Sequence, residues 1–174
     1  MTVVVLFGAE STGKTQLGRI LSARYGTIFL PEFGRSYCEI NGTDCTRSDL
    51  IEIGEWQQRT IAEARDDGRL IISDTDALMT AAWAEMMLGD IPPQLLAAPK
   101  ADLYLFCRAD TPFIDDGLRV YGNPEDRERF DRVCERLLIA YAPRHVRIEG
   151  DWDERLDLAC RAVEMLISET KSAD

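Results

Sequence analysis

Five short apolar runs set the pattern of the chain. Val3-Val4-Val5-Leu6-Phe7 is continuous and ends at Gly8, the signature of a strand covered on both faces. Thr27 to Leu30 is a second run, stopped by Pro31. Leu70-Ile71-Ile72 is a third, leading into Ser73-Asp74-Thr75-Asp76. Leu103 to Cys107 is a fourth, and His145 to Ile148 a fifth. Between them the spacing changes to the helical period. Residues 14–24 place Leu17, Ile20 and Leu21 on one face. Ser48 is a cap for a helix to about Arg65, with Leu50, Ile53, Trp56 and Ile61 as its apolar positions and Asp67-Gly68 as its end. Another helix runs from Ala77 to Leu88, stopped by Gly89 and then Pro92-Pro93. Asn123-Pro124 starts the next, supported by Glu125/Arg129 and Glu128/Arg132 at i,i+4 spacing, and Asp151 or Asp153 opens the last. Arg127 and Arg129 read as residues of that helix's surface. Residues 108–123 have little periodicity and read as a surface loop. Strands alternating with helices predict an α/β fold with five mostly parallel strands and helices on both faces. Ligands of such sheets bind at the carboxyl ends of the strands.

Composition narrows this. The chain has 174 residues, which suits one domain, 1–174. The formal net charge is −11, with ten basic against 15 acidic side chains up to residue 109 and ten against 16 beyond it. Such a chain is a poor partner for nucleic acid or an anionic membrane. Five cysteines without a C-x-x-C pair, and one histidine, predict reduced thiols and no zinc site. No apolar run approaches a membrane span, and the first residues lack the basic start of a signal peptide, so the expected location is the cytoplasm. The oligomeric state is not legible.

The chemistry follows the strands. Gly8-Ala9-Glu10-Ser11-Thr12-Gly13-Lys14-Thr15 fits G-x-x-x-x-G-K-[ST] without a mismatch. In that pattern backbone N–H groups and a helix N-terminus cradle phosphates, Lys14 reaches the β- and γ-phosphates, and the Thr15 hydroxyl holds Mg²⁺. Asp74, ending the third strand, is a metal carboxylate in one reading and a helix cap in the other. Asp76 is either the cap or a ligand to substrate hydroxyls. Glu32 is placed to accept a proton from a substrate hydroxyl, and Arg35 to neutralise phosphate; the alternative is a local ion pair between the two. Arg119, in Asp115-Asp116-Gly117-Leu118-Arg119, is either an arginine that closes over ATP or part of a solvated loop. Trp56 and Trp83 read as core residues, with stacking on a flat ligand ring as the other reading; Phe33 and Tyr37 are similar candidates.

In order, the phosphate loop, Glu32-Phe33-Gly34-Arg35, Asp74-Thr75-Asp76 and Asp115 to Arg119 resemble the ribosylnicotinamide kinase domain of NadR-type proteins, a branch of the P-loop nucleoside and nucleotide kinases. The resemblance spans about Val3 to Leu166. It implies transfer of phosphate from ATP to nicotinamide riboside with Mg²⁺, on a five-stranded sheet with a small lid near 108–123. It also implies that Asp74 lies at the metal and substrate end, that Arg119 is a lid arginine, and that Glu32, Arg35 and Asp76 line the riboside site, with Trp83 or Phe33 against the nicotinamide ring. Lys14, Glu32, Asp74 and Arg119 are the catalytic candidates, and which of Glu32, Asp74 or Asp76 takes the hydroxyl proton is not legible. The first strand starts at Val3, so the adenylyltransferase domain and DNA-binding segment of longer NadR-type proteins are not expected. Two other functions compete. One is a kinase of another nucleoside or a nucleoside monophosphate, with Arg35, Arg59 and Arg119 as anion ligands. The other is a P-loop ATPase switch acting on a protein partner.

Overall fold

The computed structural model describes residues 2–65 and 70–173. The Asp67-Gly68 helix end lies outside the described residues. The elements are β1 (Val3–Phe7), α1 (Lys14–Tyr25), β2 (Ile28–Leu30), α2 (Phe33–Asn41), α3 (Arg47–Ala64), β3 (Ile71–Asp74), α4 (Ala77–Leu88), α5 (Pro93–Ala97), β4 (Leu103–Cys107), α6 (Pro124–Tyr141), β5 (His145–Ile148) and α7 (Trp152–Ala173). The strands form one parallel sheet in the order β2-β3-β1-β4-β5. Both faces are covered, which is why β1 is apolar at every position. Val3, Val5 and Phe7 pack with α3, α4 and α6, while Val4 and Leu6 pack with α1 and α7.

The order brings β1 between β3 and β4. The turns after these three strands therefore open side by side, and β2 adds its own at one edge.

Several local expectations are corrected. The cap of α3 is Thr46, not Ser48. Its side chain takes the Asp49 N–H while the Asp49 carboxylate takes the Thr46 N–H, a reciprocal box that Ser48 has no acidic partner to complete. Two helices were not expected. α2 follows Glu32 directly; none of its residues is fully buried, but Phe33, Tyr37 and Cys38 lie on one face and pack against the core. The Pro92-Pro93 pair, expected as a stop, also starts α5, with Pro93 at its first position. Asp151, rather than Asp153, opens α7: its carboxylate takes the Glu154 N–H at 2.9 Å. The Glu128–Arg132 pair forms at 2.5 Å. Arg127 is not a surface residue but 7% exposed.

Candidate active site

Gly8 leaves β1 at φ +135°, and a Cβ there would lie 2.2 Å from the Cys107 carbonyl on β4. The backbone can approach β4 only as glycine. The Gly8 N–H donates to the Met79 Sδ at 3.4 Å. The chain then winds through Ser11, also at positive φ, to Gly13 at the start of α1. This leaves the N–H groups of the turn and the helix end without intrahelical partners, as anion binding requires. Lys14 folds back, its Nζ donating to the carbonyls of Gly8 (2.9 Å) and Ala9 (2.7 Å). The Thr12 hydroxyl closes the same turn on the Ala9 carbonyl at 2.9 Å.

Asp74 faces this loop across the β1–β3 pairing. Its Oδ2 accepts from the Thr15 hydroxyl. Its Oδ1 is buried and has no partner among the described residues. Burial raises the Asp74 pKa, while Lys14 and Thr15 oppose that. A buried carboxylate oxygen without a donor, beside a hydroxyl, suits a divalent cation. No group of three or more His, Cys, Asp or Glu among the described residues forms a metal cage. The Thr15 hydroxyl and the Asp74 carboxylate together suit Mg²⁺, which keeps several waters and binds through one or two protein oxygens plus phosphates.

One cavity of about 350 Å³ opens on the loop. Its wall is made by Glu10 through Thr15, by the charged Glu32, Arg35 and Arg119, and by the apolar Leu50, Ile53, Met79 and Trp83, among others. Glu32 sits where β2 gives way to α2. Burial, and then repulsion from Asp74, push its carboxyl up to about 7, against the pull of Lys14 and Arg35. Thr75, also on the wall, holds φ +94°, a costly conformation for a β-branched residue. Trp83 faces the cavity while its ring meets Phe130 edge-on at 4.8 Å.

Two residues expected at the acceptor site are elsewhere. Phe33 stacks on the half-exposed Trp56, with ring centroids 4.0 Å apart, and is not part of the wall; Trp56 is accordingly not a core residue. Asp76 is buried as the cap of α4. Its Oδ1 accepts from the Met79 N–H (3.0 Å) and its Oδ2 from the Tyr104 hydroxyl (2.6 Å), and at 2% exposure it is not part of the cavity wall. Of its two readings, the structure places Asp76 as a cap. Asp74 is the last residue of β3 and caps nothing. Arg59 is not on the wall.

The 108–123 loop lies against the phosphate loop. The Glu10 carboxylate accepts from the N–H groups of Val120 and Tyr121, and the Ser11 hydroxyl accepts from the Ile114 N–H (2.8 Å) and from Arg119 (3.2 Å). Two buried arginines, missed in the sequence, brace the site. Arg127 donates to the carbonyls of Glu10, Ala109 and Thr111. Arg155, 1% exposed, donates to the carbonyls of Thr12, Arg108 and Gly150 and to Asp110. A second cavity, lined by Arg108, Phe113, Arg127 and Glu149 among others, lies at the ends of β4 and β5.

Known proteins share this arrangement. The trifunctional NAD biosynthesis/regulator protein NadR of Escherichia coli (strain K12) is 28% identical over 173 residues, covering 94% of this chain and 41% of its own length. The crystal structure of NadR protein in complex with NR superposes with a TM-score of 0.76 at 26% identity, covering 94% of this chain and 51% of that one. Thymidylate kinase from Candida albicans shares the fold alone, with a TM-score of 0.71 at 15% identity and coverage of 99% and 93%. The chain thus spans about two fifths of the curated relative and half of the solved NadR chain. A family model for the AAA domain matches residues 3–155. That span takes in every strand, the phosphate loop and Arg155, and the chain belongs to the AAA domain family.

Proposed function

We propose that the chain is a kinase that transfers the γ-phosphoryl group of ATP to nicotinamide riboside, giving nicotinamide mononucleotide for NAD synthesis. The observation that carries this reading is one cavity whose wall combines a phosphate loop with the Glu32 carboxyl and the Trp83 ring. A nucleoside fits that polarity: its flat base meets Trp83, and its hydroxyl lies toward Glu32. The similarity to a NadR structure holding NR supports the choice of acceptor.

Little covalent chemistry is asked of the protein; it positions and neutralises. Lys14 and the N–H groups of the loop hold the donor phosphates. Arg35 and Arg119 line the path between donor and acceptor and offset the charge of the group in flight. Glu32, with a pKa near 7, takes the hydroxyl proton. Thr15 and Asp74 would hold Mg²⁺, which supplies charge neutralisation between the phosphates. The second cavity, with the Phe113 ring and Arg108, suits the base of ATP. In this reading residues 1–174 are one kinase domain, 108–123 its lid, and the cytoplasm its location. A monophosphate acceptor fits less well, because Arg35 already faces Glu39 and Asp116.

The test is direct. Purified protein with Mg²⁺ and ATP should convert nicotinamide riboside to the mononucleotide with stoichiometric ADP, and Lys14→Ala should cut the rate by about 10²-fold or more. ADP release unchanged by the riboside would sink the acceptor assignment.

A further inference from the structure

The two arginines on the cavity wall share one counter-ion that is not itself on the wall. Asp116 lies behind them, in the 108–123 loop. Its Oδ1 accepts from the Leu118 N–H at 3.2 Å, which fixes the turn. Its Oδ2 meets the Arg35 guanidinium at 2.9 Å and the Arg119 guanidinium at 3.3 Å. Arg35 comes from α2, on the acceptor side, and Arg119 from the loop that folds over the phosphate loop. One carboxylate oxygen therefore holds together two cations from separate segments of the wall. The only further acidic contact of the pair among the described residues is Glu39, 3.5 Å from Arg35.

We infer that Asp116 competes with the phosphate of the product for Arg35 and Arg119, and so sets product release and the preference for an unphosphorylated acceptor. The inference rests on the kinase reading above. The two guanidiniums that Asp116 gathers are the cationic groups a newly made phosphomonoester would meet beside Lys14. A phosphate dianion offers three oxygens and takes both arginines with ease. A lone carboxylate on side chains that stay 45%, 25% and 24% exposed holds them only weakly. Such a balance lets the group in flight draw the arginines, then lets Asp116 reclaim them as the product leaves. A nucleoside pays nothing to enter, because it does not need the arginines. A nucleoside monophosphate must first take them from Asp116. Asp116 is thus a positioning residue for the two arginines.

Asp116→Asn keeps an oxygen for the Leu118 N–H and removes the charge. Asp115→Asn is the control. It loses the same charge in the same turn, where Asp115 accepts only from the Gly117 N–H (2.9 Å) and faces neither arginine. Calorimetry should show nicotinamide mononucleotide binding roughly three- to tenfold tighter to Asp116→Asn than to the parent, with riboside affinity unchanged and no change in Asp115→Asn. In turnover, product inhibition should strengthen by the same factor and kcat should fall while KM for the riboside holds. A thermal melt like the parent's would show that the variant folds. Equal mononucleotide affinity in parent and Asp116→Asn, or equal tightening in Asp115→Asn, would overturn the inference. The binding measurement needs no turnover, so a parent that fails to phosphorylate the riboside overturns the kinase reading while the effect of Asp116 on phosphate affinity is still read.

Discussion

Glu32 is where the site's electrostatics become measurable. Its carboxyl titrates near 7 because burial and the charge of Asp74 disfavour the anion. As a proton acceptor it must be ionised. The kcat/KM for the acceptor should therefore rise about tenfold per pH unit below 7 and level off above it. Glu32→Gln should flatten that limb and lower kcat by about 10²–10⁴-fold. The same shift has a stability sign. The folded protein keeps a proton that the unfolded chain releases near 4.5, so stability should fall as pH rises from about 4.5 to 7, and Glu32→Gln should remove that decline. A pH–rate profile without a limb in this range would take Glu32 out of the proton path. The phosphate loop was readable from residues alone because its geometry is local: a strand, a turn and a helix start within eight positions. Arg127 and Arg155 were not readable. Most of their partners are backbone carbonyls, several brought from distant loops, and a carbonyl has no letter in a sequence.

At the level of elements, α4 hangs on Asp76. Its carboxylate caps the helix and takes the hydroxyl of Tyr104 from β4, tying the helix to the sheet below the site. Asp76→Ala should cost about 1–2 kcal/mol of stability. Tyr104→Phe, which strips a buried carboxylate of its donor, should cost about 1–3 kcal/mol. Neither should raise KM for the acceptor as Glu32 or Trp83 variants would. An Asp76→Ala protein with the parent's melting temperature and a raised acceptor KM would return Asp76 to the substrate. Denaturant melts and steady-state kinetics decide it together. The strands were legible because two-sided burial writes itself as unbroken apolar runs, as in Val3 to Phe7. The α2 helix carries a different mark, since Phe33, Tyr37 and Cys38 stand at helical spacing and pack against the core. It keeps no residue fully inside, although Phe33 and Tyr37 stand one turn apart. The α5 helix spans five residues, too few to show a period. For α3 the answer was present: Thr46 and Asp49 stand at the capping-box spacing.

For the whole molecule, a net charge of −11 coexists with a site made for phosphate. Oriented N–H groups, Lys14, Arg35 and Arg119 act over a few ångströms, where the distant surface acids are screened. The parallel order with β1 at the centre makes this possible, since it gathers loops from the first residues and the last. Arg155 is the joint. It holds the loops after β1, β4 and β5 by their carbonyls. Arg155→Leu should cost about 2–3 kcal/mol and weaken ATP binding at least tenfold, since it frees the Thr12 carbonyl under the phosphate loop. A variant that melts early yet binds ATP as the parent does would show Arg155 to be mere scaffolding.

That clasp also orders events in time. Arg155 lies 143 residues beyond the carbonyl it holds in the phosphate loop. On the ribosome, the phosphate-binding motif emerges well before the arginine that fastens it. A nascent chain can expose the whole motif, and much of the sheet, long before the loop is pinned. ATP affinity should therefore arrive only once α7 has been made and has docked, and not when the motif itself is complete.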